Sequence, residues 1–351
     1  MSDARNRLVC ALATIALSLC APDLGARTAA ANAPARGTLE RFVVGGAGGW
    51  DFLTFDPARQ RLFIARSDRV QVWSVRTRTV VAEIAGTAGV HGVALAEDLQ
   101  RGFTSNGRSN TVTVFGLDDL EIKGTVPTGE NPDAILYEPS KQRVYAFNGR
   151  GSSATVIDAS TLAVLATVPL GGKPEVAVAD GAGRVFVNIE DTAEIAVLDE
   201  ASNRVAARWP LESCVAPTGL AIDVASRRLF SVCANHKMMV VDAGDGRLVA
   251  EVPIGGEPDG VAFDAGSKRA FSSNGEGTIT VVQEVGPERF DAVETISTQA
   301  RARTLALDPE THRIYLVTAS FAPVPASAAS GPRPRPAMVK DSFTVLVVTP
   351  E

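Results

Sequence analysis

The 351-residue chain contains only three histidines and four cysteines, and the sequence motifs of several common catalytic centres are absent. It has no Gly-x-Ser-x-Gly elbow, no His-Glu-x-x-His pair and no glycine-rich phosphate loop ending in lysine. It also lacks the Cys-x-x-Cys-His sequence that attaches c-type haem. These absences leave no residue marked as catalytic and favour a binding protein over an enzyme.

The chain also lacks an excess of basic residues, because its formal net charge is -6 at pH 7. A general nucleic-acid binder needs clustered lysine and arginine, so that class is not expected. No segment beyond the amino-terminal leader reaches the length of a transmembrane helix. The hydrophobic content of 45% supplies enough apolar residues for a buried core.

The amino terminus has the pattern of an export signal. Two arginines precede an apolar run at 8–19, and a small-residue cleavage site follows at 24–26. We therefore predict a signal peptide over 1–26, a flexible segment over 27–38, and a periplasmic or secreted protein. A lipobox-like sequence ends at Cys20, but a bulky leucine precedes this cysteine, so lipid anchoring is not expected.

Two cysteines remain after removal of the leader, Cys214 and Cys233. An even pair in an oxidising compartment favours a disulfide bond. Two buried free thiols are the alternative.

An internal repeat dominates the rest of the chain. The pattern Arg-x-aromatic recurs seven times, with 40 to 44 residues between successive aromatic side chains. The aromatic residues are Phe63, Phe103, Tyr145, Phe186, Phe230, Phe271 and Tyr315.

Each repeat contains short β-branched runs separated by Gly, Asn, Asp and Pro, which is typical of antiparallel strands joined by tight turns. Four such runs per WD40-like repeat predict an all-β, seven-bladed β-propeller over 39–351 with four antiparallel strands in each blade. The last repeat lacks its outer strand, and a β-type run at 39–44 is available to complete it. We expect this pairing because it removes open sheet edges.

Several segments resemble the YVTN-repeat, YncE-like β-propeller family, notably 110–114, 249–255 and 256–264. The resemblance covers nearly all of the chain after the leader. It implies an exported propeller but specifies activity weakly, since related propellers include surface proteins, lactonases and subunits of quinoprotein dehydrogenases.

The innermost strand of each propeller blade lines a central channel, and its first residues meet at one channel mouth. Aligning the repeats places seven polar residues there, which we predict to bind a ligand. Carboxylates and a histidine around one axis also suit a divalent cation, held by His91, Asp133, Glu175 and Asp259. A water-filled channel with solvated charges is the alternative. The seven aligned residues are Asp51, His91, Asp133, Glu175, Thr218, Asp259 and Arg303.

Two further features fall on the same face. The second strands end in asparagines, which either join the ligand site or stabilise turns. A proline-rich loop at 320–340 interrupts the last repeat and is either a lid, a docking arm or a plain surface loop. The asparagines are Asn106, Asn148, Asn188, Asn235 and Asn274.

The sequence therefore predicts a monomeric, periplasmic module that binds a small ligand or a protein partner through one channel mouth. The alternatives are a metal-dependent, lactonase-like hydrolase and an accessory subunit of a periplasmic redox system. No cofactor is assigned beyond the divalent cation that the metal-dependent hydrolase would require.

Overall fold

The structure is a computed structural model that describes residues 37–286, 288–323 and 336–351. The predicted signal peptide, the predicted flexible segment up to residue 36 and the centre of the proline-rich loop lie outside these residues. Within the described ranges, no helix has the length and apolar character needed to cross a membrane.

The described residues form 26 β-strands and one short 3-10 helix at Glu97–Leu99. β-Branched and aromatic side chains recur along these strands and favour strands over helices. In chain order the strands are β1 Thr38–Val43, β2 Leu53–Asp56, β3 Arg61–Ser74, β4 Thr79–Ala96, β5 Arg101–Asn106, β6 Thr111–Gly116, β7 Ile122–Pro127, β8 Pro132–Glu138, β9 Arg143–Asn148, β10 Ser153–Asp158, β11 Val164–Pro169, β12 Pro174–Ala179, β13 Arg184–Ile189, β14 Glu194–Asp199, β15 Arg204–Pro210, β16 Pro217–Asp223, β17 Arg228–Cys233, β18 Lys237–Asp242, β19 Leu248–Pro253, β20 Pro258–Asp264, β21 Arg269–Asn274, β22 Thr278–Gly286, β23 Arg289–Ser297, β24 Leu305–Leu307, β25 Ile314–Thr318 and β26 Thr344–Thr349.

The strands assemble into six antiparallel sheets, which form the blades of a β-propeller. Five sheets have four strands each, and the sixth has six strands in the order β2-β3-β4-β5-β6-β7. The prediction of seven separate four-stranded blades is therefore wrong. Strand β4 runs without a break from Thr79 to Ala96, pairing with β3 along its first part and with β5 along its second.

The long strand lacks a proline that four equivalent strands have. Strands β7, β11, β15 and β19 each end in proline, which has no backbone N–H to continue a sheet. Strand β23 ends at Ser297 in the same place, so a strand can also end there without proline. Ala85 occupies the equivalent place in β4, because it pairs with Arg69 as Pro127 pairs with Thr111. The strand continues through Ala85 into the next repeat, and two sequence repeats share one sheet.

The innermost strands form a closed ring around the propeller channel. Strands β2, β4, β8, β12, β16, β20 and β24 contact one another in sequence, and β24 contacts β2. Direct hydrogen bonds close the ring: Phe52 N donates to His91 O at 3.1 Å, and Thr304 Oγ1 donates to Asp51 O at 2.9 Å. The first residues of these strands, and in β4 the residues from Val90 onward, therefore share one end of the channel.

The amino-terminal strand completes the last sheet, as predicted. Strand β1 pairs with β26 from Thr38 opposite Thr349 to Val43 opposite Thr344. The sheet order is β1-β26-β25-β24, so the first and last strands of the described chain are neighbours. This pairing gives the edge of β26 a hydrogen-bonding partner.

The aromatic side chains of the repeat lie in the core. All seven are at most 2% exposed and pack within or between neighbouring sheets. The described ends of the proline-rich loop pair through Phe321 and Met338, and Phe321 contacts Trp50.

The predicted disulfide is present. Cys214 and Cys233 are bonded, with their Cα atoms 5.5 Å apart. The bond joins the segment before β16 to the end of β17, both at the end of the sheet where the inner strand begins.

Candidate functional site: the channel mouth

Three residues from consecutive inner strands come together at the channel mouth. His91 Nδ1 lies 2.6 Å from Asp51 Oδ2 and 3.6 Å from Asp133 Oδ1. One potential ligand atom from each residue lies within 4.8 Å of the other two. All three side chains are partly exposed, so they remain accessible from the channel. We call Asp51, His91 and Asp133 the acidic triad.

The surroundings of the triad favour a charged imidazole. Burial alone lowers the pKa of His91, but the hydrogen bond to Asp51 and the charge of Asp133 outweigh it and raise that pKa. Burial and the charge of Asp51 raise the pKa of Asp133, while His91 opposes the shift. The imidazole therefore donates from Nδ1 to the carboxylate of Asp51.

A glycine makes room for this histidine. A Cβ atom at Gly107 would lie 2.7 Å from His91 Nε2 and 2.9 Å from Asn131 Oδ1. Gly107 follows β5 in the turn to β6, and its N–H donates to Gly89 O. The imidazole can occupy its place beside Asp51 because residue 107 has no side chain.

Glu175 extends the acidic surface beyond the triad. Burial, together with the charge of Asp133, raises the pKa of Glu175 to about 8, although Lys173 opposes the shift. Lys173 Nζ lies 2.7 Å from Glu175 Oε1 and also bonds Glu190. One lysine thus serves two carboxylates.

Asp259 and Arg303 form a separate ion pair on the ring. Arg303 Nε lies 3.0 Å from Asp259 Oδ2, and the arginine side chain is largely exposed. Burial raises the pKa of Asp259 to about 7 against the effect of Arg303, and the charges of Asp51 and Asp133 add to the increase. The carboxylates of distant repeats therefore face a common channel.

In ring order Thr218 lies between Glu175 and Asp259, and it carries no charge. Its hydroxyl donates to Pro258 O at 3.2 Å and so joins β16 to β20. Of the four predicted metal ligands, His91 and Asp133 come together with Asp51, while Glu175 pairs with Lys173 and Asp259 pairs with Arg303.

The asparagines bond within or beside their own hairpins. Asn106, Asn148 and Asn274 are buried, and each amide donates to hydroxyl groups on the following strand. Asn188 donates to Thr218 O and Gly219 O, and Asn235 donates to Ser213 O. These contacts account for the five side chains as supports of the backbone around the mouth.

A cavity of about 450 Å³ opens beside the triad. Alignment of the seven repeats did not predict several residues that line this cavity. These residues follow or precede the aligned polar positions and do not occupy them. Two of them lie in the turns of a repeated Asn-Gly-Arg sequence, at 106–108 and 148–150, which was an available signal. The lining residues not predicted include Trp50, Ser67, Arg108, Asn110, Asn131 and Arg150.

The closed ring of sheets defines the class of protein: a β-propeller with a polar, predominantly acidic channel mouth. No protein-family model matches the chain, and no curated protein matches it.

Solved structures with the same fold are numerous. The chain is similar to hydrazine synthase of Kuenenia stuttgartiensis, with 16% identity, a TM-score of 0.70 and coverage of 78% of this chain and 94% of that chain. It is also similar to U3-55K, with 12% identity, a TM-score of 0.71 and coverage of 90% of this chain and 99% of that chain. At these identities the likeness is one of fold.

Proposed function

We propose that the protein is an exported β-propeller that binds a small, positively charged ligand at its channel mouth. The observation that carries this proposal is the set of partly buried carboxylates on the mouth. Asp133, Glu175 and Asp259 all have raised pKa values. A cation placed among them would stabilise their charged forms and would be held by charge-assisted hydrogen bonds.

The balance of charge supports a ligand over a merely solvated channel. Five carboxylates of the mouth make ionic contacts, those of Asp51, Asp133, Glu175, Glu190 and Asp259. Lys173 and Arg303 are the permanent positive charges that contact them, with His91 as a third, titratable group. Burying unmatched negative charge costs free energy, which a bound cation recovers.

Export is supported by two independent features. The leader at 1–26 has the composition of a signal peptide, and the Cys214–Cys233 disulfide is of a kind that persists in oxidising compartments. The resemblance to YVTN-repeat propellers points to the same location and remains a prediction.

A metal-dependent hydrolase is the second candidate, and the acidic triad is the observation that favours it. Two carboxylates and one imidazole are suitable ligands for a divalent metal, and three protein ligands would leave positions open for water. If a metal binds, Asp51, His91 and Asp133 would hold it, and it would activate a bound water.

Calorimetric titration of the mature protein tests the proposal. We expect n-butylamine or one of the chlorides of Mn²⁺, Zn²⁺ and Ca²⁺ to bind, and Asp133→Asn to weaken binding at least tenfold because one carboxylate loses its charge. The exposed Glu310, in the turn after β24 at the opposite end of the channel, provides the control Glu310→Gln. Failure of all four cations to bind the wild type would contradict the proposal.

The same titration separates the two candidates. Stoichiometric metal binding that His91→Ala abolishes would favour the hydrolase, since an amine does not require an imidazole ligand. Amine binding that survives this substitution would favour the binding module.

A further inference from the structure

We infer that the cavity beside the acidic triad takes a small zwitterion, with its ammonium group toward Asp51 and its acid group toward Arg108 and Arg150. This inference rests on the proposed function and names the ligand class of the same site. Three observations support it: the cavity itself, the acidic and basic side chains that line it, and the absence of ion pairs between these side chains in the described residues.

Both kinds of charge line one cavity. Its volume of about 450 Å³ lies within the range of pockets that hold small molecules. Asp51, His91 and Glu130 line it, and so do Arg108 and Arg150. The cavity is therefore large enough for a small ligand that carries both charges.

The two arginines come from equivalent turns of neighbouring repeats. Arg108 lies between β5 and β6, and Arg150 lies between β9 and β10. Both are exposed, and within the described ranges neither guanidinium makes an ion pair. A guanidinium group presents a planar set of donors that matches a carboxylate, so two unpaired guanidinium groups at one cavity suit an acid group.

The opposite charges do not neutralise each other. The carboxylates of the triad contact His91, while Arg303 and Lys173 contact carboxylates outside the cavity lining. Glu130 also lines the cavity, but within the described ranges it makes no ion pair with either arginine. A simple amine would leave Arg108 and Arg150 without an ionic partner, and a simple carboxylate would lie near Asp51 with like charge. A ligand that carries both charges provides a partner for both kinds of side chain.

An aromatic side chain also lines the cavity. Trp50 lines the cavity and packs against Phe321 and Phe343, with ring centroids 6.0 and 5.4 Å apart. These contacts hold the indole in place. An aliphatic or aromatic skeleton between the two charged groups would pack against it.

Matched series of probes test the inference by calorimetry at pH 7.5. The zwitterions are glycine, 4-aminobutyrate and 6-aminohexanoate, each compared with the alkylamine and the carboxylate of the same carbon number. We expect at least one zwitterion to bind tenfold or more tightly than both of its matched probes. In the variant Arg108→Gln with Arg150→Gln, we expect this zwitterion to bind no more tightly than its amine.

The control is Arg204→Gln, since Arg204 is an exposed arginine at the start of β15 and does not line the cavity. It should keep the preference of the wild type. Equal binding of zwitterion and amine would overturn the inference but leave the proposed function standing. A zwitterion preference that persists in the arginine double variant would also overturn it. Failure of every amine and metal ion to bind would instead contradict the proposed function.

Discussion

Carboxylates occur at both ends of the propeller's inner strands, but the two groups differ in what surrounds them. At the far end, acidic residues close the turn that leads to the second strand. Asp56 Oδ1 accepts from Arg59 N, and Asp264 accepts from Gly266 N and Ser267 N. At the mouth, in the described part of the chain, no backbone N–H donates to the side chains of Asp51, Asp133, Glu175 or Asp259.

Burial alone does not separate these groups. Asp56 is 0% exposed, whereas the side chain of Asp133 is 18% exposed, so the structural carboxylate is the more deeply buried of the two. What differs is the source of donors. The carboxylates of Asp56 and Asp264 are satisfied by their own turns, while the mouth groups depend on other side chains or on a ligand. The mouth carboxylates therefore keep acceptor capacity that a ligand can use.

The largest effect should come from removing a far-end carboxylate. We expect Asp264→Ala to lower the free energy of unfolding by about 3 kcal/mol, because the backbone donors and the Ser267 hydroxyl of its turn lose their acceptor. Asp133→Asn at the mouth should cost much less than this. Urea denaturation of both variants measures the difference, and equal losses would break the distinction between the two ends.

A smaller effect is expected from the pH dependence of a mouth carboxylate. The pKa of Glu175 is raised from 4.5 to about 8, so the folded protein binds a proton that the unfolded chain releases between these values. Burial of Glu175 therefore does not lower the free energy of unfolding below pH 4.5. It lowers this free energy increasingly as the pH rises from 4.5 through 8. We expect Glu175→Gln to stabilise the protein by about 1 to 3 kcal/mol at pH 8.5 relative to pH 4.5.

Thermal unfolding of wild type and variant across this pH range tests the sign. Asp264→Asn is the matched control from the far end, and its effect should not follow the same course. A stabilisation by Glu175→Gln that is greatest at low pH would contradict the assigned cause.

A more local change tests how the triad is held. Gly107→Ala places a Cβ against His91 Nε2, so we expect the imidazole to leave Asp51 and its pKa to fall toward the ordinary value. Histidine titration by NMR measures this shift. Gly286→Ala is the control, because a Cβ there meets no atom of the described residues within 4 Å. An unchanged His91 pKa would show that the ring does not depend on this space.

The smallest effect is expected at the exposed ion pair. Arg303→Gln should raise the pKa of Asp259 above its value of about 7, because the arginine is the main group that lowers it. The change in stability should be small, since the Arg303 side chain is 57% exposed to solvent. A carboxyl titration by NMR checks the direction, and a lowered pKa would contradict it.

The repeat made much of the fold predictable. The seven aromatic residues lie on the second strand of their units and are buried, and the pairing of β1 with β26 follows the predicted use of 39–44. The sheet count was not predictable from spacing alone. Strand β4 continues through Ala85, at the place where four of the equivalent strands end in proline.

The site was predicted less completely for a geometrical reason. Alignment identified the triad residues because each occupies the same place in its own repeat. It missed Arg108, Arg150 and Lys173, which act across repeats or from the turns. The alignment also treated Asn235 as the equivalent of Asn148, which is the last residue of β9. The last residue of β17 is Cys233, so Cys233 is the true equivalent.

The most direct test of the account is to measure ligand binding and stability together in Asp133→Asn. We expect the wild type to bind a small cation by calorimetry, and the variant to lose at least tenfold in affinity while its unfolding free energy stays within about 1 kcal/mol of the wild type. A variant that binds as the wild type does, or that loses as much stability as Asp264→Ala, would contradict the claim that the mouth carboxylates serve a ligand.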